Sequence, residues 1–198
     1  GASYTDDQFT KAGASITSNP GALYEQADCI FKVRPPSLQE AAMLKEGSIY
    51  LGFLAPLANA DIIEVFCKRR ITGFSMEYIP RITRAQSMDA LSSMATVAGY
   101  KAVLLATERL GKMFPMLMTA AGTVPPATVL VLGAGVAGLQ AIATAKRLGA
   151  KVEAFDPRPA VRDQVKSLGA TFIEMEMPND AETAGGYARE LSQEFIEK

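Results

Sequence analysis

A chain of 198 residues can form one ordinary domain or two small ones with a real core, and is too short for a large multidomain enzyme. Its 48% hydrophobic and 21% charged residues, with 20 Lys and Arg against 21 Asp and Glu, describe a soluble globular chain without the focused basic stripe that a nucleic-acid partner requires. Histidine is absent, which excludes His-based triads, His-rich zinc sites and two-His iron sites, and no metal site is expected.

The two cysteines, Cys29 and Cys67, lack CxxC spacing and are expected as reduced apolar fillers rather than a disulfide framework. The chain opens on Gly1-Ala2-Ser3-Tyr4, with neither Met nor a signal pattern, so it reads as soluble and cut from something longer.

Short helices are predicted over residues 6–12 and 21–27, then an apolar strand over 29–33 that ends at Arg34-Pro35-Pro36. Ser37 and Glu40 have capping-box spacing ahead of a helix whose Ala41, Ala42 and Leu44 fall towards one face. A buried strand over 49–54, a helix capped by Asn59 and running to Cys67, and a strand over 71–76 complete a strand–helix alternation. That order points to a parallel sheet with helices on its faces.

Helical spacing of Leu91, Val97, Val103, Leu104 and Leu110 predicts a long connecting helix over 89–114, interrupted at Gly99. A turn at residues 121–126 follows, and the domain boundary is expected there, giving an N-terminal α/β lobe over 1–120 and a nucleotide-binding lobe over 121–198. The uncharged stretch 113–145 exceeds the ~20 residues that span a bilayer. Gly122, Pro125, Pro126, Gly133, Gly135 and Gly138 break it into a turn, a strand and a helix start. Its apolar start, residues 113–118, is a candidate interface or simply packing between lobes.

Residues 128–132 form a β-branched and Leu run that leads directly into Gly133-Ala134-Gly135-Val136-Ala137-Gly138 and a helical run through Leu148. A GxGxxG after a strand and opening a helix is the dinucleotide fingerprint. Gly133 permits the tight turn, Gly135 admits the pyrophosphate, Gly138 lets helix and strand pack closely, and the helix N-terminus offers N–H groups to phosphate. A second strand over 151–155 ends at Asp156, where an acidic side chain would accept from the adenosine ribose and favour NAD over NADP. Arg158 leaves NADP open, because a nearby arginine can serve a 2′-phosphate.

The segment Arg81-Ile82-Thr83-Arg84-Ala85-Gln86-Ser87-Met88-Asp89 also keeps two readings. It is ordinary for a solvated loop, yet it follows a strand end, where open parallel sheets bind ligands, and could face the cofactor across a cleft between lobes.

Several stretches together closely resemble the NAD(H)-binding domain I of proton-translocating NAD(P) transhydrogenases. They are Lys32-Val33-Arg34-Pro35-Pro36, Gly52-Phe53-Leu54-Ala55-Pro56, the PRITRAQSMDALSS run over 80–93, residues 98–103, residues 118–126 and the GAGVAGLQAIATAKRLGA run. The resemblance covers most of the chain in order. It implies a two-lobed α/β fold with parallel sheets, the second lobe of Rossmann type, and both lobes incomplete relative to the family.

It further implies a Re/Si-specific, proton-translocating enzyme complex. In such a complex hydride moves between NAD(H) here and NADP(H) on a partner domain III, coupled to protons crossing a membrane domain II. The chain would be a homodimeric peripheral part of that complex, at a bacterial inner membrane or an organelle inner membrane. By motif match Arg81, Gln86, Asp89 and Ser92 would position the nicotinamide. Gly133, Gly135, Val136, Gly138, Asp156 and Arg158 would hold the adenosine diphosphate half, and Tyr187 would lie at the tip of a loop over 181–188 similar to the family's mobile loop.

Hydride transfer between two nicotinamides releases no proton, which agrees with a chain lacking histidine. Alanine dehydrogenases share the two-lobed fold and similar motifs, but their catalytic histidine would follow the Phe-Leu of the strand end, where this chain has Ala55. A non-catalytic NAD-binding module is the third reading, since fold alone does not fix function. Relative to the family the chain begins after the expected first strand and stops just after the mobile loop.

Overall fold

A computed structural model describes residues 3–175, which divide into two compact units between Asp89 and Ala90. Among the described residues of the first unit the order is α1 (Asp6–Lys11), α2 (Pro20–Gln26), β1 (Cys29–Lys32), α3 (Leu38–Met43), β2 (Ile49–Gly52), α4 (Ala60–Lys68) and β3 (Thr72–Ser75). The strands form a parallel sheet in the order β1-β2-β3, with Ile30 opposite Tyr50 and Tyr50 opposite Gly73. Tyr50 and Leu44 are fully buried, and the Tyr50 ring meets Phe66 of α4 edge-on at 5.4 Å, fixing that helix on the sheet.

The capping box at α3 forms as its spacing predicts: the Glu40 N–H donates to Ser37 Oγ at 3.2 Å and the Ser37 N–H donates to Glu40 Oε2 at 2.7 Å. The same carboxylate accepts from the Tyr24 hydroxyl at 3.0 Å and from Lys32 Nζ at 2.5 Å, tying α2 and β1 to α3. Asn59 is the N-cap residue of α4, as expected, but its side chain makes no capping hydrogen bond. Its amide instead donates to the carbonyls of Leu54 at 2.8 Å and Ala55 at 3.2 Å.

The second unit holds α5 (Ala90–Arg109), the hairpin β4 (Leu117–Thr119) and β5 (Gly122–Val124), then β6 (Thr128–Leu132), α6 (Val136–Arg147), β7 (Lys151–Phe155), α7 (Arg162–Ser167) and β8 (Thr171–Phe172). Its parallel sheet runs β6-β7-β8 over a core in which Ile142, Ala145, Ala154 and Val165 are fully buried. Among the described residues no strand pairs with the outer edge of β6, where Leu130 and Leu132 stand exposed.

Several expectations change. The division falls before α5 rather than at residue 120, because α5 belongs to the second core: Val103 is buried there, and a Cβ on Gly99 would sit 2.1 Å from the Ala137 carbonyl of α6. The glycine read as a helix interruption is the contact that lets α5 and α6 touch. α5 is long and apolar enough to cross a membrane by length and composition alone; Gly99 and Val103 are its buried residues, and Val103 belongs to the second core. The cysteines are free as expected yet exposed, since Cys29 faces outward in the strand alternation and Cys67 lies beside, not on, the buried Ile62–Phe66 face of α4. The expected turn over 121–126 contains β5, the second strand of the hairpin.

The hydrogen bond from Lys32, followed by the Ser37 N–H, holds the Glu40 carboxyl down at about 2. A carboxyl depressed in the folded state adds stability that is present above its ordinary value of 4.5 and is lost as pH falls through about 2. Glu40→Gln is therefore expected to cost about 1 kcal/mol at pH 7 in urea unfolding. The gap to the unsubstituted chain should close between pH 5 and pH 2, and a pH-independent gap would contradict the assignment.

Candidate functional site

In the second unit the sequence builds a strand–turn–helix–strand unit with its special backbone where the fingerprint places it. β6 is a β-branched and Leu strand, and Gly133 ends it at φ +93°, a conformation that favours glycine. The Gly133 N–H donates to the Phe155 carbonyl at 2.8 Å, so the turn after β6 is tied to the end of β7. A Cβ on Gly138 would lie 1.8 Å from the Gly133 carbonyl oxygen, so only glycine lets the first turn of α6 close over the loop.

Gly135 is the N-cap of α6 and supplies no side-chain cap; Val136 is the first helical residue. The first-turn N–H groups of this 12-residue helix therefore have no capping side chain, the arrangement that binds phosphate, while Lys146 and Arg147 complement the dipole at its other end. Among the described residues the space over Gly135 is open: the nearest atom to its Cβ position is Arg158 Nη2 at 4.0 Å. These features are a cradle that fits a dinucleotide pyrophosphate.

Asp156 follows β7 and is buried, 4% exposed. Its Oδ2 accepts the Ala134 N–H at 2.7 Å, which brings the acidic position and the glycine turn together, and Arg158 pairs with it through Nε and Nη2, each at 2.9 Å. Burial pushes the carboxyl up, but the hydrogen bonds from Arg158 and Ala134 outweigh it, and Asp156 lies below the ordinary aspartate value and is ionised at neutral pH. Beside it, a cavity of about 190 Å³ opens among Phe155, Asp156, Pro157, Arg162, Phe172 and Glu174 at the ends of β7 and β8.

Arg81, Gln86 and Asp89 belong to the first unit. Arg81 precedes a 3-10 turn over Thr83–Met88 that is anchored by the buried Ala85, Gln86 is exposed within the turn, and the Asp89 N–H closes it on the Gln86 carbonyl at 3.2 Å. Ser92 lies in the first turns of α5, half-buried, its carbonyl accepting from Thr96 Oγ1 at 3.0 Å. Within the second unit Gly133, Gly135, Val136, Gly138, Asp156 and Arg158 come together. Tyr187 and the loop over 181–188 lie outside the described residues. Among the described residues no cluster of three or more His, Cys, Asp or Glu could hold a metal.

Sequence reasoning missed Glu77. Its carboxylate accepts the N–H groups of Leu54 (3.0 Å) and Ala55, holding the end of β2 where Ala55 sits at φ +43°. Burial raises the Glu77 carboxyl, but its own backbone N–H and those of Ala55 and Leu54 outweigh that, so it stays below the ordinary glutamate value. The only signal in the sequence is an acidic residue just after a strand, next to the strand end where the chain has Ala-Pro. Glu77→Ala leaves the amide of buried Leu54 and the exposed amide of Ala55 without their acceptor and is expected to cost about 1 kcal/mol in thermal or urea unfolding. Glu77→Gln should recover part of it, and an unchanged stability in both would show that the clamp holds nothing.

The fold and the glycine cradle define a two-domain nucleotide-binding protein of the kind shared by alanine dehydrogenases and transhydrogenases, and the comparisons agree. Residues 1–98 match the alanine dehydrogenase/PNT N-terminal domain and residues 102–193 the alanine dehydrogenase/PNT C-terminal domain. The chain belongs to the alanine dehydrogenase/PNT family.

Within that family it is 53% identical over 205 residues to an NAD(P) transhydrogenase subunit alpha polypeptide of Rhodospirillum rubrum, matching all of this chain and 53% of that protein. The solved transhydrogenase of Sinorhizobium meliloti is similar at a TM-score of 0.83 and 50% identity, over 87% of this chain and 51% of the other. An L-alanine dehydrogenase shares the fold at a TM-score of 0.72 and 22% identity, over 86% of this chain and 48% of the other. The chain thus spans about half the length of the curated relatives it matches. The expected boundary at 120 is also later than the junction between the two matched domains.

Proposed function

We propose that this chain is part of the NAD(H)-binding component of a proton-translocating NAD(P) transhydrogenase. The observation that carries the reading is the glycine cradle with the buried, ionised Asp156 hydrogen-bonded to it through Ala134. The first-turn N–H groups of α6 would receive the pyrophosphate, Asp156 the adenosine ribose, and the cavity beside Phe155 and Phe172 the adenine. Arg81, Gln86, Asp89 and Ser92 would hold the nicotinamide end by hydrogen bonds and charge.

The chemistry supplied by a bound dinucleotide is hydride donation or acceptance at its nicotinamide ring. The chain's residues contribute position rather than proton transfer. Holding two rings in reacting geometry supplies several kcal/mol by proximity alone, about 7 kcal/mol or more where alignment is good. No side chain has to take or give a proton at the reacting carbon. Ala55 at the end of β2 offers no base, so an amino-acid dehydrogenase, which needs proton transfers, is disfavoured.

The partners in this reading are an NADP(H)-binding domain III, a membrane domain II that couples transfer to proton movement, and a second copy of the chain. The location is peripheral, at a bacterial or organelle inner membrane. The name borne by the similar Rhodospirillum rubrum protein and the 50% identity to a solved transhydrogenase support it.

Calorimetric titration with NADH tests the binding half: NADH should bind in preference to NADPH, and Arg81→Ala should weaken it by about tenfold. Mixed with an NADP⁺-loaded partner domain, the chain should then pass hydride from NADH to NADP⁺, giving NAD⁺ and NADPH, with Arg81→Ala slowing turnover. Binding without any transfer to that partner would favour a non-catalytic NAD-binding module.

A further inference from the structure

Asp156 and Arg158 are two residues apart, yet the chain fills all the acceptor positions of the carboxylate from its own donors. Oδ1 accepts the backbone N–H and the Nε–H of Arg158, each at 2.9 Å, and Oδ2 accepts the Ala134 N–H at 2.7 Å and the Nη2–H of Arg158 at 2.9 Å. A carboxylate offers about four acceptor sites, so a ribose hydroxyl would take the place of one of these donors. The pair is enclosed, with side chains 3% and 18% exposed.

The guanidinium also reaches the glycine turn, its Nη2 lying 4.0 Å from the Cβ position of Gly135. It thus borders the ground between the acidic end of β7 and the start of α6, where this type of fold receives a ribose and its phosphates. The local sequence sets the arrangement. The Asp156-Pro157-Arg158 spacing lets the carboxylate close a turn on the Arg158 N–H, with Pro157 fixing the backbone between them.

We infer that Arg158 is a specificity-determining residue: Asp156 latches its guanidinium into a neutral pair and so keeps a built-in receptor for a 2′-phosphate switched off. The inference rests on the reading of this unit as a dinucleotide site. A lone carboxylate repels a 2′-phosphate and a guanidinium attracts one; held fork to fork they cancel, and the Nε–H and an Nη2–H of Arg158 stay aimed at Asp156. Discrimination between the two dinucleotides is then a property of the pair. Removal of the carboxylate turns the same arginine from a silent partner into a phosphate ligand. Serine at 156 can still accept from the Arg158 N–H, so the turn survives the change.

The test is a titration of four proteins, each checked for intact secondary structure by circular dichroism: the unsubstituted chain, Asp156→Ser, Arg158→Ala and the double variant. NADH and NADPH are followed by fluorescence, and adenosine 2′,5′-bisphosphate by calorimetry. The unsubstituted chain should prefer NADH. Asp156→Ser should gain about tenfold or more in affinity for NADPH and for the bisphosphate, the double variant should lose that gain, and Arg158→Ala should discriminate more strongly against NADPH. The latch is overturned if folded Asp156→Ser binds NADPH no tighter than the unsubstituted chain, or if the double variant keeps the whole gain. An unsubstituted chain that binds neither nucleotide overturns the dinucleotide reading and the latch with it, which separates the two failures.

Discussion

An ionised carboxylate that is 3% exposed needs donors on every side, and Asp156 obtains them from the turn that opens α6 and from the arginine two residues on. Unpartnered, such a charge would cost several kcal/mol. Because one donor is the Ala134 N–H, satisfying the charge also fixes the glycine turn against the end of β7, next to the Gly133 N–H bond to Phe155. The cradle is therefore shaped by the chain's own hydrogen bonds, without waiting for a ligand. A site pre-organised in this way loses less of its binding energy to ordering itself.

The first unit uses the same device at a strand end. Glu77 draws the Leu54 and Ala55 amides together, Asn59 holds the carbonyls of the same two residues, and the turn over Thr83–Met88 begins a few residues beyond Glu77. Both units so place a carboxylate at the carboxyl end of a parallel sheet, the side on which open α/β sheets receive ligands. Glu77 is held ionised chiefly by the backbone it organises and Asp156 first by the Arg158 side chain and then by the Ala134 and Arg158 amides.

How much of this was legible in the sequence depended on how local its cause is. The α3 capping box, the β6–glycine–α6 unit and the alternation of strands and helices were readable because each rests on residues near one another along the chain. The role of Gly99 was not, since its reason is a carbonyl on another helix, and with it went the boundary between the units. Asn59 looked like a cap by type and spacing, but two carbonyls at the end of β2 take its amide instead of the helix. Glu77 carries no motif at all; its partners lie across the sheet. For Asp156 and Arg158 the sequence posed the NAD-or-NADP question as two opposed residues, while the structure makes them one pair.

If the turn over residues 133–138 is where this chain meets a dinucleotide, its backbone amides must respond to one. Amide chemical shifts and hydrogen exchange in the purified chain, recorded with and without NADH, test this most directly. The largest shifts and the largest gains in protection are predicted on Ala134, Gly135, Val136 and Ala137, with Asp156 and Arg158 responding alongside. Saturable NADH binding that left these amides unmoved and perturbed residues elsewhere would contradict it.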